Sequence, residues 1–232
     1  MSGRYLVNVL ILMSLAWPAA GDDIDIYLDR GWAGSEPPRL VLVVDWLAAV
    51  RGGIATHLPD VLSQAVQRQF LARLWQRGRP AVEVALLVPR ALQCGETSGC
   101  PATGWSLGDF ATLEDVAGLE QFRQQLVALS LAAVEREDSI PPYQLEDAYT
   151  VLQQTLRERG LLQTCSGATI INLLFEAEPA SSLGSGIELE RNIRSRFLVP
   201  LASPGYQDLA AAVDGKLLVA ADISILEETL AN

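Results

Sequence analysis

The sequence predicts a single α/β domain in which helices cover both faces of a mostly parallel central sheet. The chain has 232 residues, 50% hydrophobic and 19% charged, which is enough to bury one core of ordinary size. Several short segments are apolar throughout, as strands buried on both faces are. Amphipathic helical segments separate these strands, and this alternation is typical of parallel sheets.

The first 20 residues have the layout of a secretory signal peptide. Arg4 precedes a mainly apolar run from Tyr5 to Trp17, and residues 18–21 are a cleavage region before two acids. The alternative is an uncleaved anchor, but the run is shorter than the roughly 20 residues that a spanning helix needs. We therefore expect an exported protein, in the periplasm or at the cell surface, whose domain comprises residues 21–232 without an integral membrane segment.

The first half of that domain contains two core strands and a helix. Residues 22–28 alternate acidic and apolar side chains like a half-exposed edge strand, and residues 29–38, with Gly and Pro, interrupt it. Residues 40–45 are an apolar strand that ends on an acid. Residues 60–77 carry apolar side chains at helical spacing, which predicts an amphipathic helix. Residues 82–88 are the second core strand.

The second half continues this alternation. A loop over residues 89–109 leads to a long helix at residues 113–135. A proline-broken loop then precedes a helix that stops at Gly160. Residues 168–175 are a third strongly apolar strand. The remaining predictions are short strands at 197–201 and 216–220 and short helices near 206–213 and 223–231.

The charge of the chain argues against nucleic acid and anionic membranes as partners. The formal net charge is −11, and it becomes −12 when Arg4 leaves with the signal peptide. The chain has one lysine, Lys216, and its arginines are dispersed, whereas phosphate binding needs clustered Lys and Arg. Such acidity is typical of a solvated surface that keeps an exported protein soluble.

All three cysteines lie beyond the signal peptide, in a protein expected to reach an oxidising compartment. Cys94 and Cys100 are separated by a short loop with two glycines, and we expect them to form a disulfide that closes this loop. Cys165 is then left over. We interpret it as a buried small hydrophobic residue at the start of a strand rather than a nucleophile.

The sequence lacks the motifs of most enzymes. His57 is its one histidine, and no G-x-S-x-G elbow presents a serine to it. We place His57 at the start of a helix, with Thr56 as a candidate cap. Lys216 has no P-loop around it, and the glycines at 184–186 lack the third glycine of a dinucleotide fingerprint. We therefore expect no enzyme and no cofactor.

Acidic side chains follow two of the core strands. Asp45 ends one strand, and Glu176 comes just after another. Ligands of open α/β sheets bind outside the carboxyl ends of the strands, so we expect both acids on the same rim. A hard cation such as Mg²⁺ uses carboxylate and hydroxyl oxygens at such a place.

Four segments carry a family resemblance. "DDIDIYL…PPRLVLVVD" is similar to the mature start of PilY-type proteins of type IV pili, "IPPYQLEDAYTVL" to their "GTPLAEALYEA", and "CSGATIINLLFEAEP" to their "C…NYIILLTDGEP". "GKLLVAADISILEETL" resembles their closing strand and helix. The order of elements resembles a von Willebrand factor A domain, here the amino-terminal domain of PilY-type proteins, over nearly the whole mature chain. The resemblance implies a von Willebrand A-like, Rossmann-like sheet.

The resemblance also implies where the metal-ion-dependent adhesion site of that family would lie. Asp45 matches the first acid of its D-x-S-x-S pattern, but the two serines fall on Leu47 and Ala49. The family threonine falls on Pro142 and the second Asp on Glu176. Leu, Ala and Pro offer no side-chain oxygen to a cation. The resemblance thus implies a degenerate site, with Leu47 and Ala49 packed in place of ligands and Asp45 accepting backbone N–H bonds.

The function implied is that of a non-enzymatic interaction module, accessory to type IV pilus assembly or adhesion. Its expected partners are minor pilins or pilus-assembly proteins, and its candidate contact residues on the rim are Trp46, Tyr143 and Glu176. One alternative keeps a residual Mg²⁺ site through Asp45 and Glu176. Another is an envelope hydrolase that uses either carboxylate as a general base, although no nucleophile or oxyanion hole is recognisable.

Overall fold

The structure is a computed structural model and describes residues 37, 39–67, 81–93, 104–162, 168–176, 189–190, 192–200 and 202–219. The strands in these ranges are β1 (Arg39–Val44), β2 (Val82–Pro89), β3 (Trp105–Leu107), β4 (Ala111–Leu113), β5 (Ala168–Leu173), β6 (Ile193–Val199) and β7 (Lys216–Val219). The α-helices are α1 (Trp46–Arg51), α2 (Leu58–Ala65), α3 (Arg90–Gln93), α4 (Val116–Glu135), α5 (Leu145–Glu158) and α6 (Pro204–Ala212).

These strands form one sheet in the order β3-β2-β1-β5-β6-β7, with β4 also paired to β2. β1 lies between two parallel neighbours, and its Val41 pairs with Ala85 on one side and Ile170 on the other. The pairs β5–β6 and β6–β7 are parallel as well, whereas β3 and β4 run antiparallel to β2. The predicted mostly parallel sheet is therefore confirmed. Its order is that of doubly wound α/β folds and is compatible with a von Willebrand A-like domain.

Helices cover both faces of the sheet, as predicted. Successive residues of β1 alternate between two apolar clusters, with Leu42 in one and Val43 in the other. The first cluster includes side chains of α1, α2 and α4, and the second includes those of α5 and α6. Every residue of β1 is buried, which explains why the strand is apolar after Arg39, whose guanidinium pairs with Glu83 of β2.

Several element boundaries differ from the predictions. β6 begins at Ile193, whereas the sequence predicted a start at residue 197. The prediction was too short because Arg194, Ser195 and Arg196 are polar, although Ser195 and Arg196 are buried in the strand. β3 and β4 were not predicted, since strands of three residues have too little periodicity to be detected. α4 begins after Asp115, whose carboxylate accepts a 2.8 Å hydrogen bond from the Gly118 N–H.

Some predictions concern residues outside the described ranges. They are the signal peptide, the edge strand at 22–28, the last helix at 223–231, and the cysteines Cys94, Cys100 and Cys165. Within the ranges that are described, no helix combines the length and the apolar composition needed to cross a membrane.

Candidate functional site

The sheet changes winding direction between β1 and β5, so the crevice beyond their carboxyl ends is the expected ligand position of this architecture. Asp45 follows β1 directly, and its N–H donates a 3.0 Å hydrogen bond to the carbonyl oxygen of Leu173, the last residue of β5. Glu176 comes three residues after Leu173. The negative charge of Glu176 contributes to raising the pKa of Asp45. The structure therefore brings the two predicted acids to one rim.

The Asp45 side chain is built into the fold. It is 7% exposed, and its Oδ1 accepts a 3.1 Å hydrogen bond from the Ala48 N–H as the N-cap of α1. Burial raises its pKa from 3.8 to about 6, opposed first by the hydrogen bond from Ala48. The charge of Glu176 raises the pKa further, while that of Arg51 lowers it. The predicted backbone hydrogen bond of Asp45 is present.

Three of the other positions of the implied metal site, Leu47, Ala49 and Pro142, offer no side-chain oxygen to a hard cation. Leu47 and Ala49 are buried in the apolar cluster beneath α1. The carbonyl oxygen of Ala49 accepts hydrogen bonds from the N–H groups of Ile54 and Ala55 and so is already engaged. Pro142 is exposed and has no side-chain oxygen. In the described part of the chain, no three His, Cys, Asp or Glu side chains are grouped as metal ligands.

The structure corrects two of the three rim residues that the sequence nominated for partner contact. Trp46 is 1% exposed because the first turn of α1 packs on the sheet, so its ring belongs to the core. Tyr143 is 7% exposed, and its ring meets that of Trp105 edge to face, with 5.5 Å between centroids. Glu176 is half-buried, and its carbonyl oxygen accepts a 2.8 Å hydrogen bond from the Tyr206 hydroxyl.

Sequence reasoning missed a buried polar network under this rim. Asn172 in β5 is fully buried, and its side-chain oxygen accepts a 3.0 Å hydrogen bond from the Tyr143 hydroxyl. Its amide nitrogen donates to the Tyr149 hydroxyl at 2.7 Å and to Ser195 Oγ at 3.1 Å, and Tyr149 and Ser195 are hydrogen-bonded to each other. The available signal was one asparagine inside an otherwise apolar strand.

The hydroxyls of this network are held neutral. Burial raises the pKa of Tyr143 well above its usual value, and nearby charge, including that of Asp45, adds to this effect. Burial also raises the pKa of Tyr149, while its hydrogen bonds to Ser195 and Asn172 oppose the shift. Neutral, mutually hydrogen-bonded groups joining α5, β5 and β6 are a structural network rather than an acid–base site.

One buried polar atom near the rim is unsatisfied. Among buried side-chain nitrogen and oxygen atoms of the described residues, Nε1 of Trp46 has no hydrogen-bond partner. An unsatisfied donor in the core costs about 1–3 kcal/mol. Trp46 thus contributes to the core through its large apolar ring and despite its N–H group.

The sequence placed the single histidine correctly at a helix start. His57 itself is the N-cap residue of α2, so the cap is not Thr56. The His57 side chain is exposed and makes no capping hydrogen bond. This position keeps its imidazole on the surface and away from Ser195, which is buried on the opposite face of the sheet.

A groove of about 870 Å³ lies away from the rim, between α5 and the residues before β6, at the amino ends of the strands. Its polar walls are paired with each other. Arg157 Nη2 contacts the Glu190 carboxylate at 2.7 Å, the Glu190 N–H donates to Gln153 Oε1, and Asn192 donates to the Leu162 carbonyl oxygen. The groove therefore presents few unengaged groups to a ligand.

Neither a family model nor a curated protein matches this chain. A solved structure to which it is similar is the crystal structure of the human COPII-coat protein Sec24c, with 9% identity and a TM-score of 0.42. The match covers 84% of this chain but 32% of that one, so the chain spans about a third of the Sec24c length. A likeness this low carries no argument about function. The fold assignment rests on the strand order, and the PilY-type resemblance gains no support here and stays a prediction.

Proposed function

We propose that this chain is an exported, non-enzymatic protein-interaction module of von Willebrand A-like architecture that works without a metal ion. The observation that carries the proposal is the rim at the winding switch. The Asp45 carboxylate accepts the hydrogen bond that caps α1, and the apolar side chains of Leu47 and Ala49 are buried in the core. With these groups used for folding, binding is left to the outer surfaces of the domain.

The arrangement of the rim also favours binding over hydrolysis. A general base must reach the proton that it removes from water or substrate. The Asp45 carboxylate is buried and accepts a hydrogen bond. The serine of the buried network, Ser195, is hydrogen-bonded to Tyr149 and Asn172. Neither group has a histidine beside it, since His57 is exposed at the start of α2.

The biological setting that we propose is type IV pilus assembly or adhesion, with minor pilins or pilus-assembly proteins as partners. This part of the proposal rests on the sequence resemblance to PilY-type proteins. The excess of acidic residues supports a protein partner rather than nucleic acid.

The test is a crosslinked pull-down of the tagged protein from the envelope of its native host, read by mass spectrometry. It is run once with Mg²⁺ and once with EDTA, beside a tag-only control. Equal recovery of pilus components in both is the expected result. Recovery that requires Mg²⁺ would overturn the metal-free part of the proposal, and absence of pilus components from both would overturn the pilus setting.

A further inference from the structure

The carboxyl-terminal half of α4 presents an apolar surface to solvent. Leu131 is 55% exposed and Val134 is 48% exposed. Together with the exposed Ala128 and the half-buried Val127 they form what we call the α4 face. The steps of four and three residues from Val127 to Leu131 and Val134 place these side chains on one side of the helix. The opposite side of α4 packs on the core.

Negative charge collects at the end of the α4 face. Glu135 is in the last turn of the helix, Asp138 follows shortly after, and both are exposed. That last turn contains no basic residue, but the C-cap residue that follows it is Arg136, a half-buried cation at the helix carboxyl terminus. Among the described residues no cation forms an ion pair with Glu135 or Asp138, whereas Glu137 contacts Arg51 at 3.5 Å. Glu135 and Asp138 are therefore two exposed carboxylates without an ion pair in the described part of the chain, at the end of the α4 face.

We propose that the α4 face docks a basic amphipathic helix of a partner protein. The inference rests on the proposed function as an interaction module, and it names the surface and the chemistry of the partner. Apolar side chains at steps of four and three residues match the seam along which two helices pack. Lysine or arginine beside the seam of the partner helix would lie against the carboxylates of Glu135 and Asp138.

Charge separates this partner from the two other candidate occupants. A second copy of the chain also carries a net charge of −11, so self-association brings together two strongly acidic molecules. An anionic membrane repels the acidic end of the α4 face in the same way. A helix with an apolar seam and basic flanks would contact Leu131 and Val134 with its apolar side chains and Glu135 and Asp138 with its basic ones.

The probe is a fluorescein-labelled synthetic peptide of about 18 residues with leucine at the seam and lysine beside it. Its affinity for the purified protein is measured by fluorescence anisotropy. A peptide of the same composition in scrambled order is the matched control for charge. Combining Leu131→Ser with Val134→Ser should weaken binding about tenfold or more, because both exposed side chains belong to the proposed contact.

Val116→Ser is the matched control variant. Val116 is 69% exposed on the same helix but lies 15 residues before Leu131, a distance of about 22 Å. We expect its binding to stay within about twofold of the unmodified protein. Circular dichroism checks that both variants keep the fold.

Three results would overturn the docking proposal. They are equal affinity for the ordered and scrambled peptides, unchanged binding by the double variant, and a dimer in sedimentation velocity that the double variant abolishes. The docking proposal and the proposed function can fail independently. If the double variant recovers pilus components as well as the unmodified protein does, the proposed function is kept and the docking proposal is wrong. If the peptide binds as expected but no pilus component is ever recovered, the docking face stands without the pilus setting.

Discussion

The hydroxyl of Tyr143 donates a hydrogen bond to the side-chain oxygen of Asn172, with 3.0 Å between the two oxygen atoms. This bond ties the segment before α5 to β5 directly below the rim. Asn172 continues the connection to Tyr149 and Ser195, so three buried hydroxyls are hydrogen-bonded to one amide. A buried network of this kind stabilises the fold only while each of its members keeps a partner.

We therefore expect Asn172→Leu to destabilise the protein strongly. Leucine has a similar volume but removes the partner of the Tyr143 hydroxyl, and an unsatisfied buried hydroxyl costs about 1–3 kcal/mol in the free energy of unfolding. Gln154→Leu is the control, because Gln154 is exposed on α5 and bonds only to Glu158 among described residues. Urea denaturation that finds both variants equally stable would contradict the structural role of the network.

Asp45→Asn should stabilise the protein at pH 7. Folding raises the pKa of Asp45 from 3.8 to about 6, so between these values the folded state holds a proton that the unfolded state has released. The contribution of Asp45 to stability consequently falls as the pH rises from about 4 to 6. Asparagine keeps a cap oxygen for the Ala48 N–H without the buried charge, and the gain at pH 7 is on the order of 1–3 kcal/mol.

This pH dependence is measured by urea denaturation of both proteins at pH 4, 5, 6 and 7. The difference between them should grow with pH and level off above about pH 6. Asp115→Asn changes an exposed N-cap in the same way and controls for the loss of a cap carboxylate. An Asp45→Asn protein that is less stable than the parent at pH 7 would contradict the burial of this charge.

Calorimetric titration with Mg²⁺ or Mn²⁺ should give no saturable heat. Leu47, Ala49 and Pro142 offer no side-chain oxygen, and Oδ1 of Asp45 already accepts a hydrogen bond. Asp45→Asn removes one of the two carboxylates of the residual Mg²⁺ alternative, the other being that of Glu176, and is the reference titration. Saturable binding below about 1 mM that this substitution abolishes would restore the metal-binding alternative.

Gly215→Ala should destabilise the turn between α6 and β7. A Cβ atom at this position would lie 2.8 Å from Cε2 of Phe197 and 3.2 Å from the carbonyl oxygen of Ser195, so a packed ring or the backbone must move. We expect a loss of about 1–3 kcal/mol in the free energy of unfolding.

Gly118→Ala is the matched control for that exchange. A Cβ atom on Gly118 makes only ordinary contacts, the nearest at 3.4 Å, and alanine favours the helix. Thermal unfolding should therefore show a lower Tm for Gly215→Ala and an equal or higher one for Gly118→Ala. A shift in the same direction for both variants would show that the close approach at Gly215 is not the cause.

The main strands and helices were predictable because their signals are local. β1, β2 and β5 are mainly apolar runs, and such runs separated by amphipathic helices indicate a parallel sheet whatever the distant contacts are. Asp45 was recognisable as an acid at a strand end that accepts backbone N–H bonds, because such bonds are local, but the short helix α1 that it caps was not predicted. The sequence alone also showed that Leu47 and Ala49 lack the hydroxyl groups of the implied metal site.

Tertiary structure decided what each polar or aromatic side chain does. Trp46 and Tyr143 look like contact residues in the sequence, but packing against distant elements buries them. Arg196 is buried within β6 for the same reason. The raised pKa of Asp45 depends on burial and on Glu176, which is far away in the chain and next to it on the rim. Burial and charge coupling depend on distances in space, and a sequence records only distances along the chain.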